Sequence, residues 1–401
     1  MKDSSISNYI LRAIELAEKG RGFVNPNPLV GAIIVKDGKI LGEGYHTSYG
    51  KMHAEREALA DAERRGNSCK GADLFVTLEP CCHTGRQPPC TQAIIEAGIR
   101  RVFCGSNDPN PLVSGKGFEI LRKAGIEVFT GCCKEACDRI NSVFFHYITT
   151  KTPYITMKYA VTADGLTACC TGDSKWISCE QSRKRVHFER FWNMAVMTGI
   201  KTVLSDNPLL TCRLEAADFE LAGIDENAVC EKKLRQPVRI VCDSNLSIPL
   251  DCSLVKTAGE IPLIVACAIK DSSLEKNEKA CTLRQKGVKV LSVPDEKGRV
   301  DLAVLAKILG QDGIDSILLE SGGELNASAL RAGIVNKIQV FVAPKIVGAA
   351  ASCGTSDGNA WKTYSPVRSC LAEHPAQAVM LSTPEVSLSG SDVLLEYEVK
   401  R

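Results

Sequence analysis

The chain has 401 residues, 44% of them apolar and 24% charged, with a net charge of +2 and a pI near 7.8. That length fits about two or three domains of ordinary size, with enough core to fold without disulfide staples. The balanced charge, with no long basic tract, excludes an extended nucleic-acid footprint, and no apolar run reaches the roughly 18 residues of a membrane span.

In chain order, Ile6, Tyr9, Ile10, Ala13, Ile14 and Leu16 share one helical face, and Gly20 stops it. Leu29–Val35 and Lys39–Tyr45 read as strands joined through Asp37-Gly38, a hairpin turn signal. A helix is expected over Ala54–Arg65, a buried strand over Asp73–Leu78, and a helix from Thr91 to Ala97 after Pro88-Pro89. Arg101–Cys104 and Glu127–Phe129 read as strands around a helix at Gly117–Lys123. This alternation predicts an α/β sandwich with a largely parallel sheet, closing near residue 148. Lys151-Thr152-Pro153 reads as a junction. Beyond it, strands are expected at Tyr154–Ala160, Met194–Thr198, Val238–Cys242, Pro262–Ala268, Val288–Val293, Ser316–Leu319, Lys337–Val342 and Val393–Val399. Helices are expected at Glu180–Phe191, Leu302–Leu309 and Leu325–Ala332, and a Gly/Ala/Ser-rich loop at Ala349–Ser365. No internal repeat is visible.

The 19 cysteines are scattered, several in adjacent pairs such as Cys81-Cys82 and Cys132-Cys133, and form no disulfide framework. No signal peptide opens the chain. A reducing cytoplasm is expected, with most thiols serving as small core hydrophobes.

Two of those cysteines, Cys81 and Cys90, carry chemistry together with His53 and Glu55. His53-Ala54-Glu55 opens a helix, Glu79-Pro80-Cys81 ends a strand, and Pro89-Cys90 precedes a helix. Zinc takes borderline and soft ligands, and a catalytic site keeps one position for water. His53, Cys81 and Cys90 are the expected ligands of one Zn2+ per chain, and Glu55 the proton shuttle. His-x-Glu followed by Pro-Cys is the signature of zinc deaminases, whose two cysteines usually stand two residues apart. Here eight residues intervene. Cys82 and His83 are rival ligands, and a structural zinc, or none, is the alternative.

The longer gap belongs to a wider pattern. Pro26–Gly31, Gly44-Tyr45-His46, His53-Ala54-Glu55, Thr77–Cys90 and Asp108–Gly117 closely resemble the bifunctional riboflavin-biosynthesis deaminase–reductase family. So do Lys158-Tyr159-Ala160, Asp164-Gly165, Ser174–Ile177, Thr202–Thr211 and Ala343-Pro344-Lys345. The resemblance implies a cytidine-deaminase-like α/β/α sandwich over residues 1–148. It implies a dihydrofolate-reductase-like α/β domain over 149–401. The implied reactions are zinc-dependent deamination of 2,5-diamino-6-ribosylamino-4(3H)-pyrimidinone 5′-phosphate, then NADPH-dependent reduction of its ribosyl group to ribityl. By resemblance, His46 and Arg86 hold the substrate phosphate and Asn27 meets the pyrimidine.

In the second half, glycines between a strand and a helix start let backbone amides approach a phosphate, and Glu320-Ser321-Gly322-Gly323-Glu324 sits at such a turn. The resemblance places NADPH contacts on Ala160, Trp176, Thr202, Asp206, Ser244 and the run Gly322, Gly323, Glu324, Leu325, Asn326, Ala327 and Ser328. It places substrate contacts on Ser174, Arg190, Leu210, Arg213 and Glu320. Asp206, at the junction of both sets, is expected to orient substrate or handle a proton. One departure stands out: Leu166 follows Asp164-Gly165 where the family usually has Arg, which bears on the preference for NADPH over NADH. Small phosphorylated pyrimidines are the expected partners, with no nucleic acid, no membrane and a homo-oligomeric assembly. The competing readings are a zinc deaminase acting on another nucleotide base, a chain with only its deaminase half active, and a non-enzymatic zinc module.

Overall fold

The structure is a computed structural model, and it describes residues 3–83, 88–110, 113–221, 234–349 and 362–400. These fall into two compact units. One holds the residues up to Lys151 together with a short helix, Ala216–Leu221; the other holds Thr152–Glu215 and the described residues from 234 onward.

In the first unit, five strands form one sheet: β1 (Gly31–Lys36), β2 (Lys39–Tyr45), β3 (Asp73–Leu78), β4 (Arg101–Ser106) and β5 (Glu127–Phe129). Their order is β2-β1-β3-β4-β5. The β1–β2 hairpin turns at Asp37 and Gly38, which both adopt the positive φ that such a tight turn requires. Alternation along the strands sends side chains to two faces. Ala32, Ile34, Leu74, Val76 and Val102 pack on α2 (Ala54–Arg64), α3 (Cys90–Glu96) and α4 (Lys116–Lys123). Ile33, Val35, Phe75 and Phe103 pack on α1 (Asp3–Glu18) and α5 (Lys134–Ile140). A further helix, α6 (Ser142–Thr150), follows. The result is an α/β/α sandwich. Its sheet is less parallel than the sequence pattern suggests: β1 pairs antiparallel with both neighbours, while β3–β4 and β4–β5 are parallel.

The second unit is built on nine strands: β6 (Tyr154–Thr162), β7 (Ala195–Gly199), β8 (Val238–Cys242), β9 (Leu263–Cys267), β10 (Val288–Ser292), β11 (Ser316–Glu320), β12 (Val335–Ala343), β13 (Glu385–Ser389) and β14 (Asp392–Glu398). They run in the order β10-β9-β8-β7-β11-β6-β12-β14-β13, parallel from β10 to β12 and antiparallel at the last two pairings. One face buries Ile155, Met197, Ile240 and Leu319, the other Val196, Val241, Val265 and Leu318. Central strands covered on both faces account for their near-continuous apolar runs. The helices α7 (Glu180–Trp192) and α8 (Ile200–Asp206) flank β7 in the chain. The expected Ala349–Ser365 loop lies mostly outside the described residues.

Several elements escape the sequence pattern, among them α5, α6, α8 and β13. The helices span only seven to nine residues, too few for a clear period, and β13 is a five-residue edge strand that exposes Val386 and Leu388.

The packing of α2 depends on a glycine. A Cβ on Gly44 would lie 2.3 Å from the Ala58 amide nitrogen and 2.7 Å from the Ala54 carbonyl oxygen. The helix that begins beside His53 therefore rests directly on β2. Gly44→Ala is expected to lower stability by about 1–3 kcal/mol, the usual cost of overpacking, and to reduce bound zinc. Denaturant titration together with metal analysis checks both.

Candidate active sites

Three side chains from three segments meet in the first unit. His53 is the N-cap of α2, Cys81 follows the end of β3, and Cys90 is the first residue of α3. His53 Nδ1 lies 3.4 Å from the Sγ of Cys81 and 3.4 Å from the Sγ of Cys90, and all three ligand atoms fall within 4.8 Å of one another. Zinc bonds of about 2.1 Å to nitrogen and about 2.3 Å to sulfur at a tetrahedral angle would separate N and S by about 3.6 Å. The donor set therefore fits one such ion. Among the described residues, neither Cys82 nor His83 joins the cluster.

The surrounding backbone holds this cradle. The Cys90 amide donates to Cys81 Sγ at 3.4 Å, the Thr91 amide donates to the Cys81 carbonyl, and Arg56 Nη2 donates to the Pro89 carbonyl at 3.1 Å. Hydrogen bonding with Cys90, then with His53, favours the Cys81 thiolate and draws its pKa down to about 4. The shared proton and burial push Cys90 the other way. Bonding to Cys81 raises His53. Glu55, on the first turn of α2, is buried and hydrogen-bonded with Cys90. Burial first, and then the Cys81 charge, push its carboxyl up to about 7.

Glu55, His53 and Cys81 line a cavity of about 330 Å³ that also reaches Asn27, His46 and Asp108. His46 is buried, and burial lowers its pKa. Its Nδ1 lies 3.0 Å from the Met52 carbonyl, which can only accept, so Nδ1 carries the proton. Nε2 must then accept from Asn27 Nδ2, 3.2 Å away. With both ring nitrogens engaged, His46 orients Asn27 on the cavity wall that both residues line. Arg86 lies outside the described residues.

Two supports in this unit carry no sequence signal. Asn141 clamps Leu29 through its amide and carbonyl at 2.8 and 2.9 Å, fixing the segment that bears Asn27. Glu79 accepts from the amides of Asp108, Gly115 and Gly117, fixing the far wall of the cavity. Both are contacts between distant positions, and only the Glu79 motif could have hinted at one.

In the second unit, many of the residues named from sequence gather at the carboxyl ends of adjacent parallel strands, where open α/β sheets bind ligands. Ala160 lies near the end of β6, Glu320 ends β11, α8 with Thr202 follows β7, and Ser244 follows β8. Gly322 caps the helix Gly323–Arg331, which carries the Gly323–Ser328 run. Glu324 pairs with Lys201 at 2.7 Å, while Asn326 is buried and bonded to Ser321 and Pro366. Glu320 and Arg190 form a two-point ion pair at 2.6 and 3.0 Å, and Arg190 Nη1 donates to the Thr211 carbonyl. Burial raises Glu320, but Arg190 and then Lys158 outweigh it and its pKa falls. Leu210 is buried with φ +54°, and Arg213 is exposed. Burial, then Arg190 and Arg213, bring His187 down to about 4.

Ser174 and Trp176 stand exposed on the segment before α7, with Arg183 stacked on the Trp176 ring and Lys345 donating to its carbonyl. Asp206 is exposed at the last turn of α8. Leu166 is buried and its amide donates to Thr162 Oγ1, so this position supplies apolar filling and no charge.

A cysteine–histidine metal cradle beside a buried glutamate, followed in the chain by a sheet with a second ligand site at its strand ends, defines a deaminase joined to a reductase. Residues 3–106 match the cytidine and deoxycytidylate deaminase zinc-binding region, and residues 153–372 match the RibD C-terminal domain. The chain is 47% identical over 392 residues to the riboflavin biosynthesis protein RibD of Actinobacillus pleuropneumoniae, spanning 98% of this chain and 95% of that one. The solved RibD of Acinetobacter baumannii superposes with a TM-score of 0.81 at 31% identity, covering 100% of both chains. A diaminohydroxyphosphoribosylaminopyrimidine deaminase/5-amino-6-(5-phosphoribosylamino)uracil reductase from Thermotoga maritima gives 0.79 at 34% identity, with 99% of both covered.

The chain belongs to the RibD family. It is a bifunctional riboflavin-biosynthesis enzyme with a cytidine-deaminase-like and a reductase domain, and it works with Zn2+ and NADPH.

Cys90→Ser is expected to cut bound zinc well below one per chain, whereas Cys82→Ser and His83→Ala leave it near one. Metal analysis of the purified variants distinguishes the true ligands from the rivals.

Proposed function

We propose that residues 1–148 deaminate 2,5-diamino-6-ribosylamino-4(3H)-pyrimidinone 5′-phosphate and that residues 149–401 then reduce the ribosyl group to ribityl with NADPH. The observation that carries the first half is the His53–Cys81–Cys90 cluster beside buried Glu55 in one cavity. His53, Cys81 and Cys90 hold the zinc. When bound, zinc lowers the pKa of a water toward about 7 and so makes a nucleophile available at neutral pH.

Glu55 handles the protons. Hydrolysis adds water at the amino-bearing ring carbon, breaks the carbon–nitrogen bond and releases ammonia. The Glu55 carboxylate takes one proton from the attacking water and passes it to the ring nitrogen, then takes the proton of the hydroxyl now on the ring carbon and passes it to the departing amine. A buried carboxyl raised toward neutrality suits a group that must both accept and give. Asn27 turns its amide nitrogen to His46, which leaves its oxygen to accept from an N–H of the pyrimidine. His46 and Arg86 are assigned to the phosphate of this first substrate.

In the second half, the protein's task is to hold the nicotinamide against C1′ of the opened ribose, since the cofactor carries the hydride. Glu320, Arg190, Leu210, Arg213 and Ser174 are assigned to the substrate. Ala160, Trp176, Thr202, Asp206, Ser244 and Gly322–Ser328 are assigned to NADPH. The partners are small phosphorylated pyrimidines, without nucleic acid or membrane, and the enzyme is a cytoplasmic homo-oligomer. No described helix is long and apolar enough to cross a membrane.

Glu55→Gln is expected to slow ammonia release by about a hundredfold or more, the usual worth of a general acid–base. NADPH oxidation on substrate supplied already deaminated should continue. Separate assays of ammonia and NADPH check this. Full deamination by the variant would remove Glu55 from the mechanism, and turnover of cytidine or dCMP with none of the diaminopyrimidine would overturn the substrate.

A further inference from the structure

The match to the cytidine and deoxycytidylate deaminase zinc-binding region ends at residue 106. The helix α6, at Ser142–Thr150, lies beyond it. Yet three of its side chains, Phe144, Tyr147 and Ile148, line the same cavity as His53, Cys81 and Glu55. Spacings of three and four residues put them on one face of the helix. All three are half-buried, and α6 buries none of its side chains. Half-buried apolar groups on a cavity wall shed the rest of their water when a ligand fills the cavity, which favours binding.

The chemistry of a pyrimidine says which part of the ligand meets them. A heteroaromatic base carries its hydrogen-bonding groups on its edge, and its two faces are apolar π-surfaces. The edge is already engaged: the amino-bearing carbon turns to the metal cradle and Glu55, and a ring N–H meets Asn27. The faces still need a partner, and an aromatic side chain supplies one by offset stacking or edge-to-face contact. On α6, Ile148 is aliphatic, and the Tyr147 ring carries the Lys151 ammonium 5.6 Å from its centroid. Tyr49, also on the cavity wall, is exposed. Phe144 is the aromatic that remains, its ring tilted 55° against that of Phe145 at 6.0 Å.

We propose that the Phe144 ring packs on the face of the substrate's pyrimidine, which makes α6 the specificity-determining wall of the deaminase site. The inference rests on the deaminase reading of this cavity. The cradle and Glu55 perform the bond change that deaminases of different bases share, and α6 adds the surface that selects the base.

The test uses the full-length, zinc-loaded chain and follows ammonia release from the diaminopyrimidine nucleotide. Phe144→Ala should raise KM roughly tenfold or more, as expected for a lost aromatic contact and its buried area, and change kcat little. Bound zinc should stay near one per chain, and NADPH oxidation on the deaminated nucleotide should not change, which reports an intact fold. Phe144→Tyr, which keeps the ring, should stay close to the native KM. Phe145 is not among the described residues that line the cavity, so Phe145→Ala should leave KM alone. An unchanged KM in Phe144→Ala overturns the proposal. So does an equal rise in Phe145→Ala, or a loss confined to kcat or to bound zinc, because α6 would then only brace the cradle. A native chain that turns over cytidine or dCMP and none of the diaminopyrimidine defeats the substrate reading instead. The KM for the base it does accept then tests Phe144 in the same way.

Discussion

A carboxylate taken out of water must be partnered or protonated, and the first unit is arranged around one that is neither permanently. Glu55 is buried at the start of α2, within hydrogen-bonding reach of Cys90 and in the field of the Cys81 thiolate. Its position follows from the seating of α2 on β2 at Gly44, and from His53 serving as the N-cap of the same helix. One helix start thus delivers a metal ligand and a proton carrier two residues apart. The end of β3 and the start of α3 bring the two thiols. The longer cysteine spacing still leaves the two thiols together, because the backbone at the start of α3 is tied to Cys81. The Cys90 amide meets Cys81 Sγ and the Thr91 amide meets the Cys81 carbonyl.

The second unit solves a different problem with a similar economy. Burying Arg190 and Glu320 together costs desolvation of both, and the two-point geometry offsets much of it. The pair does more than neutralise itself. Arg190 still has Nη1 for the Thr211 carbonyl, so an ion pair anchored on β11 sets the height of the segment from Leu210 to Arg213. Gln236 and His187 continue that support to the next two residues. The ligand side chains borrow rigidity from strands, as precise sites generally must.

Much of this was legible in the sequence, and what was not has a consistent cause. The Asp37-Gly38 hairpin, β3 and α7 declare themselves because turn chemistry and periodicity are local. The metal trio is legible because zinc restricts its ligands to a few residue types. The partners of His46, Met52 and Asn27, carry no sequence signal, because only the fold places them on either side of it. Asn141 and Gln236 are invisible for the same reason: each clamps a backbone segment distant in the chain, and an amide that does so looks like any surface amide. The helix α6 carries Phe144, Tyr147 and Ile148 at helical spacing, but it is short and has no capping side chain to mark its start.

The many cysteines sort by the same physics. Among the described residues none is paired in a disulfide. Burial raises Cys104, Cys137 and Cys242, the last two to about 12, which leaves them protonated and inert as small apolar groups. Cys137 fills the space that a side chain at position 105 would need, since a Cβ on Gly105 would fall 2.2 Å from its sulfur. Cys81 is the exception because hydrogen-bond donors converge on it, and those donors are the other two members of the metal cradle. In the first unit the fold favours a charged sulfur at Cys81, where two other segments, bearing His53 and Cys90, supply donors for it.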